Sequence, residues 1–447
     1  MGLLDRIRGD GSPRVAFIGI DGVPYSLLAD HDEEFEHIAA LADEGTGGAI
    51  DSIVPPESSA CWPALTTGVN PGQTGVYGFQ DRETGSYDTY VPMGRDVQAE
   101  RIWNRIEEKG RKATVLNVPV TFPPERGVQR MASGFLSPGV EEAAYPEEIR
   151  EYLQGMGYRI DVDAKLGHDE DKSAFLEDAH ETIEKRHEAF MHYIEKDDWD
   201  LFFGVYMTTD RVNHFLFEDY ERDGPNREAF LEFYRTLDEY IGELRETLPE
   251  DVTLVVASDH GFTTLDYEVD CNAWLHEQGW LSYREDPEEL ADITDETRAY
   301  SLSPGRFYLN LEGREPRGSV PEEEYEATRR ELATAIESME GPEGEPVVDR
   351  IVTSEEAFRG EHTEIAPDLV AIPRDGFDLK TGFDGGGTIF STSPRNGMHT
   401  FDNACLFIDD ERARFDEADL YDIAPTLLTL LDVEFDRGVF DGASRIK

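Results

Sequence analysis

Residues 14–22 read RVAFIGIDG, an unbroken apolar run that stops on Asp21-Gly22. A strand wetted on one side alternates apolar and polar residues. A run without alternation belongs to a strand buried on both faces, as in a parallel sheet covered by helices. Ala113–Val118, Leu201–Met207 and Thr253–Ala257 have the same form. Between these runs, apolar residues return every three or four positions. They do so at Ile102, Trp103 and Ile106, and again at Phe230, Phe233, Tyr234, Leu237, Ile241 and Leu244, which is the period of an amphipathic helix. Strands alternating with helices predict an α/β fold, a mostly parallel sheet flanked by helices.

From about residue 265 to 375 the texture changes. A strand-like Arg306–Leu311 leads into the Gly313-Arg314-Glu315-Pro316 turn, a charged helix from Glu322 to Met339 and a second strand-like stretch, Pro346–Val352. The expectation is a smaller α+β insertion, 265–375, inside one larger domain, 10–447. A closing helix is expected near Asp422-Ile423-Ala424-Pro425, with Asp as cap and Pro in the first turn.

The 447 residues include 41 Lys+Arg against 96 Asp+Glu, a formal net charge of −55. So anionic a body repels phosphate backbones and acidic headgroups, which argues against nucleic-acid and polybasic membrane binding. Hydrophobic residues at 39% and aromatics at 11% supply a sizeable core, which argues against wholesale disorder. Cys61, Cys271 and Cys405, odd in number and irregular in spacing, suggest no disulfide framework and fit a reducing compartment. The N-terminal MGLLDRIRGDGSPR has no apolar h-region, and nowhere does an apolar stretch approach the about 18 residues of a membrane span. A cytoplasmic protein with no integral membrane segment is expected, its short amphipathic start (Leu3, Leu4, Ile7) fraying.

Ligands of open α/β sheets gather at the carboxyl ends of the strands. Asp21 closes the first run. Asp210 and His214 follow the third at i, i+4 spacing, so on a helix they share one face. Asp259-His260 closes the fourth, in Ser-Asp-His-Gly, and His399 stands in RNGMHT. Each has an ordinary alternative: Asp21 or Asp210 as a helix cap, His214 as a surface residue. Together, three Asp and three His in four segments are the donor mix that a pair of divalent ions needs, and imidazoles suit Zn²⁺ or Mn²⁺ better than Ca²⁺ or Mg²⁺. The other eight histidines (His31, His37, His168, His180, His187, His192, His276, His362) stand mostly among acids and read as solvated faces.

The order of these motifs resembles the alkaline phosphatase superfamily, most closely its type I phosphodiesterase/nucleotide pyrophosphatase branch with its predicted phosphohydrolases and phosphomutases. The residues that carry the resemblance are Asp21-Gly22; Pro55-Pro56-Glu57-Ser58 leading to Thr67-Gly68-Val69-Asn70-Pro71-Gly72; Asp210 and His214; Ser258-Asp259-His260-Gly261; and Gly397-Met398-His399. It implies an alkaline-phosphatase-like catalytic domain. Asp210, His214 and His399 would hold one divalent ion, and Asp21, Asp259 and His260 the other. The nucleophile would be Ser58, nine residues ahead of Thr67 and itself in contact with metal, with Ser59 as its competitor. The implied activity is a metal-dependent phosphohydrolase, a phosphodiesterase on a small or lipid-like phosphoester, proceeding through a phosphoryl-serine with net retention at phosphorus. The alternatives are a phosphotransferase or phosphomutase using the same site, or a non-catalytic metal-binding protein. Cys61-Trp62-Pro63-Ala64-Leu65 echoes a sulfatase signal, but it lacks the Arg and lies past the nucleophile position, so Cys61 reads as a buried thiol.

The sequence departs from the family pattern where substrate is read. Phe79 replaces a phosphate-contacting Asn, with Gln80 beside it as a substitute donor. Phe79 is either core packing or a stacking surface for an aromatic leaving group. Thr74-Gly75 stands for the usual His-Gly, and Thr-Phe-Asp-Asn follows His399 in place of Arg-x-Asp-Gly.

A dispersed carboxylate shell with few lysines repels itself unless salt screens it. The charge balance therefore predicts a halophilic protein, more stable to unfolding in about 2–3 M KCl than in dilute buffer. A thermal midpoint that falls with KCl would contradict this.

Overall fold

In the computed structural model the described residues are 12–196, 198–285, 287–383 and 387–447. The N-terminal stretch with Leu3, Leu4 and Ile7 lies outside them. The central sheet has eight strands in the order Thr46–Ile50, Ala404–Ile408, Val252–Ala257, Arg14–Ile20, Leu201–Tyr206, Ala113–Val118, Arg130–Ser133 and Ala144–Tyr145. The five strands from Val252–Ala257 to Arg130–Ser133 are mutually parallel. The outer strands join antiparallel.

The apolar run that opens the chain is buried at every position. Its alternate residues serve two cores. Ala16, Ile18 and Ile20 pack under the helices Ser173–Glu195 and Arg227–Thr247. Val15 and Phe17 pack under Ser58–Thr67, Ile102–Glu107 and Ile423–Leu430. With both faces covered, alternation has nothing to record, which is why the strand reads as continuous.

A second, four-stranded antiparallel sheet, Ala299–Leu302, Arg306–Leu309, Leu369–Pro373 and Val348–Thr353, packs on the helix Tyr325–Glu337 around its own core of Tyr300, Phe307, Leu309, Leu332 and Ile336. The strand Gly261–Asp270 links the two units. It begins beside His260, pairs antiparallel with Gly397–Thr400, and then pairs parallel with Gly376–Lys380.

Three local expectations are corrected. The Arg306 strand stops at Leu309 because Asn310 turns inward, its amide donating to the carbonyls of Thr297 and Arg317. The charged helix begins at Tyr325, after one 3₁₀ turn over Glu322–Glu324. Asp422 does not cap its helix by a side-chain hydrogen bond; its carboxylate accepts from the Ala443 N–H and from Arg445, tying down the C-terminal segment.

Buried ion pairs join the units. Arg306, fully buried, pairs with Asp81 at 2.6 Å and donates to the Gln80 carbonyl, while Arg82 pairs with Glu315 at 3.0 Å. Removing one partner strands a charge without solvent, so Arg306→Ala should cost about 3–5 kcal/mol of stability in denaturant unfolding. Adding Asp81→Asn to Arg306→Ala, which removes the stranded charge, should recover part of that loss.

Candidate metal centre

The carboxyl ends of the central strands converge on one point. Asp21 follows the Arg14–Ile20 strand. Its turn is held by the helix Thr208–Glu221, whose Thr209 Oγ1 donates to the Asp21 carbonyl at 2.6 Å and whose Asn213 donates to the Gly22 carbonyl at 2.8 Å. Gly22 has φ 67°, and a Cβ there would meet His260 Cε1 at 3.1 Å. Only glycine both turns left-handed and leaves the imidazole its space. The same helix carries Asp210 and His214 on one face, as their spacing predicts.

His399 arrives by strand pairing. The Gly261–Asp270 ladder sets it opposite Phe262, and its ring stacks on that of His260 with centroids 3.8 Å apart. Ser58, the first residue of the helix Ser58–Thr67, has its Oγ 3.0 Å from His260 Nε2 and 3.3 Å from Asp21 Oδ1. The neighbouring Ser59 hydroxyl is buried without a hydrogen-bond partner, away from this cluster.

The three imidazoles share one arrangement. His214 Nδ1 lies 3.0 Å from the Gly397 carbonyl, His260 Nδ1 3.0 Å from that of Gly261, and His399 Nδ1 3.1 Å from that of Pro56. A carbonyl can only accept, so each Nδ1 carries a proton and each Nε2 points inward. The Nε2 atoms of His214 and His399 face each other at 3.2 Å, and Asp210 Oδ1 is 3.2 Å from the latter. Two imidazole nitrogens and a carboxylate oxygen gathered so closely form a donor set that suits a divalent cation. The donor atoms of Asp21, Asp259 and His260 lie within 4.8 Å of one another, as do those of Asp210, His260 and His399, so His260 reaches both groups.

Electrostatics points the same way. Burial, with Asp259 and Asp210 close by, pushes Asp21 well above the ordinary carboxylate range. Burial pushes Asp259 up to about 7 despite the Gly22 N–H it accepts at 3.1 Å, and its buried Oδ2 has no hydrogen-bond partner. Burial also drives His214 well below its usual value, and burial with His399 brings His260 to about 3, so both stay neutral, as ligation requires. Among the described residues Arg211 is the cation in contact with these three acids, through Asp210, and it is shared with Asp161. Three buried carboxylates with one shared guanidinium are undercompensated, and divalent ions would restore the balance.

Sequence reasoning missed Trp62, whose Nε1 donates to Asp21 Oδ2 at 2.7 Å, and Arg211, hidden between the two ligand positions of its helix. His187 is a correction: it is buried against Tyr206 and Glu243 and not solvated, since its helix packs on the sheet. Phe79 is not core packing. It is 39% exposed and, with Gln80, lines a cavity of about 350 Å³ that opens onto Ser58 and includes Glu57, Phe135 and Lys380.

The family profile described as type I phosphodiesterase / nucleotide pyrophosphatase matches residues 15–402. The chain belongs to that family. No curated protein sequence matches it. Phosphonoacetate hydrolase from Sinorhizobium meliloti 1021, solved with phosphonoacetate, is 16% identical, with a TM-score of 0.64 over 94% of this chain and 96% of that one. Murine ectonucleotide pyrophosphatase/phosphodiesterase 5 is 14% identical, with a TM-score of 0.56 over 94% and 95%. A mutant of the alkaline phosphatase PafA is 13% identical, with a TM-score of 0.59 over 98% and 100%. At these identities the likeness is one of fold, that of the alkaline phosphatase superfamily. No helix among the described residues is long and apolar enough to cross a membrane.

Because Asp259 is protonated below about 7 and must lose its proton to ligate, Zn²⁺ uptake at pH 6 should release at least one proton. Affinity should then fall by about tenfold per pH unit below that point. His214 and His260, already neutral, should add no protons. Calorimetry in buffers of different ionisation enthalpy reads the count; uptake at pH 6 without proton release would refute this protonation scheme.

Proposed function

We propose that this phosphohydrolase-family protein is a two-metal phosphodiesterase with Ser58 as its nucleophile. The supporting observation is the position of the Ser58 hydroxyl, at hydrogen-bond distance from both Asp21 and His260, where two donor groups meet. Asp21, Asp259 and His260 would hold one ion, and Asp210, His214 and His399 the other. Imidazole with carboxylate suits Zn²⁺ or Mn²⁺. Bound there, the ions would supply positive charge to the phosphoryl oxygens and depress the pKa of the Ser58 hydroxyl.

The chain's own residues do the rest. The Pro56, Gly261 and Gly397 carbonyls keep the imidazoles in one tautomer, and Trp62 fixes Asp21. Ser58 Oγ forms a bond to phosphorus as the bond to the leaving alcohol breaks, and that alcohol takes up a proton. Water then cleaves the phosphoryl-serine, returning the hydroxyl and releasing the remaining monoester. Two displacements give net retention. The Ser58–Thr67 helix directs its N-terminus, and so its partial positive charge, at the transferred group. The cavity leaves room beyond the phosphoryl group for a small or lipid-like alcohol, with Phe79 and Gln80 on its wall.

The test uses an aryl methyl phosphodiester and the matching monoester, with metal stripped and then Zn²⁺ or Mn²⁺ restored. Diester cleavage should need metal, and Ser58→Ala should lower it by about a thousandfold or more. A variant retaining a substantial share of activity would remove Ser58 as nucleophile. Preference for the monoester would move the assignment to a phosphatase or phosphomutase.

A further inference from the structure

Lysine is scarce in this chain, 8 residues against 33 arginines, and between residues 197 and 446 the single lysine is Lys380. It lines the cavity beside Ser58. Along the strand Gly376–Lys380, Phe377 and Leu379 enter the second core, while Asp378 and Lys380 alternate to the other face. The Lys380 ammonium rests on Asp378 Oδ2 at 2.8 Å, and its side chain is 36% exposed. Asp378 is also bound by Arg395 at 2.8 Å, so it stays compensated if Lys380 turns away. An ammonium has three donors, and the contact with Asp378 leaves some to spare. Lys380 makes no ion pair with Asp21, Asp210 or Asp259, whose partners are Arg211 and the imidazoles. Ser58 and Lys380 line one cavity, so the ester substituent of a phosphoryl group held at Ser58 has a path to Lys380. Phe79 and Phe135 line the same cavity with ring centroids 6.3 Å apart.

We propose that Lys380 is a specificity-determining residue that reads a negatively charged group on the leaving alcohol, a carboxylate or a second phosphate, while Phe79 and Phe135 pack on the body of that alcohol. This rests on the phosphodiesterase reading above.

Three substrates test it at fixed ionic strength: methyl phenyl phosphate and its 4-carboxy and 4-phosphonomethyl derivatives. In the metal-loaded protein, kcat/KM for an anionic substrate relative to the neutral one should fall by about tenfold or more on Lys380→Gln and be largely kept by Lys380→Arg. Intrinsic leaving-group reactivity is common to all variants and cancels in that comparison. Whichever derivative shows the larger fall identifies the anion. An equal change on all three substrates would overturn the proposal, because Lys380 would then act on the phosphoryl group or on the fold. Calorimetric binding of methyl (4-carboxyphenyl)phosphonate against methyl phenylphosphonate separates the two levels of the argument. Lys380-dependent preference without turnover would keep Lys380's role and overturn the hydrolase reading; no turnover and no preference would overturn both.

Discussion

Three main-chain carbonyls govern this site. Those of Pro56, Gly261 and Gly397 each take the Nδ1–H of one imidazole, so all three Nε2 atoms face the interior. Carbonyls can do this only if the backbone of three distant segments is fixed to within a hydrogen-bond length, and much of the fold serves that end. The Thr208–Glu221 helix clamps the Asp21-Gly22 turn from above. At Gly397 a Cβ would fall 2.3 Å from the Asn213 carbonyl, so glycine lets the strand come near enough for its carbonyl to reach His214. The site is a set of backbone approaches that orient the imidazoles, while burial keeps His214 and His260 neutral.

That geometry reconciles a chain of formal net charge −55 with the anionic phosphoester proposed as its substrate. The surface carboxylates are dispersed and solvated, whereas the site carboxylates are buried, where a neighbouring charge counts for far more. Two divalent ions, if bound as proposed, would leave Asp21, Asp210 and Asp259 with a net positive centre whatever the exterior carries. Arg211, Lys380 and Arg395 border the same cavity, each tied to an acid that orients it. Where cations are few, their placement is informative.

The parallel core was legible because buried strands announce themselves. Arg14–Ile20 and Ala113–Val118 need no more than an apolar run, and Leu201–Met207 overshot by one residue only because Met207 already turns into the next helix. The candidate ligands were legible as motifs that follow the strands, and the structure brings them together. What escaped depends on contacts between distant segments. Gly261–Asp270, reading GFTTLDYEVD, is half polar and was lost in a change of texture, since it is buried at some positions and half-buried or exposed at others. Trp62 packs in the core and is also the donor that holds Asp21, a role no motif signals. Phe79 could have been core or surface, and composition cannot tell the two apart; the pairing of Arg306 with Asp81 and with the Gln80 carbonyl holds its loop at the cavity.

Gly261–Asp270 also explains why the second unit bears on chemistry at all. Its first residues pair with the strand that carries His399, and its last residues pair with the strand that ends in Lys380. One strand therefore adjoins both a candidate metal ligand and Lys380, and its register break between Leu265 and Tyr267 lies at the start of its pairing with Gly376–Lys380. A bulge at such a point changes the direction of a strand without breaking its pairing. The two ends of this strand thus belong to different surroundings: Gly261 lies beside the strand that carries His399, and Asp270 pairs with Lys380, whose strand packs Phe377 and Leu379 into the core of the second unit.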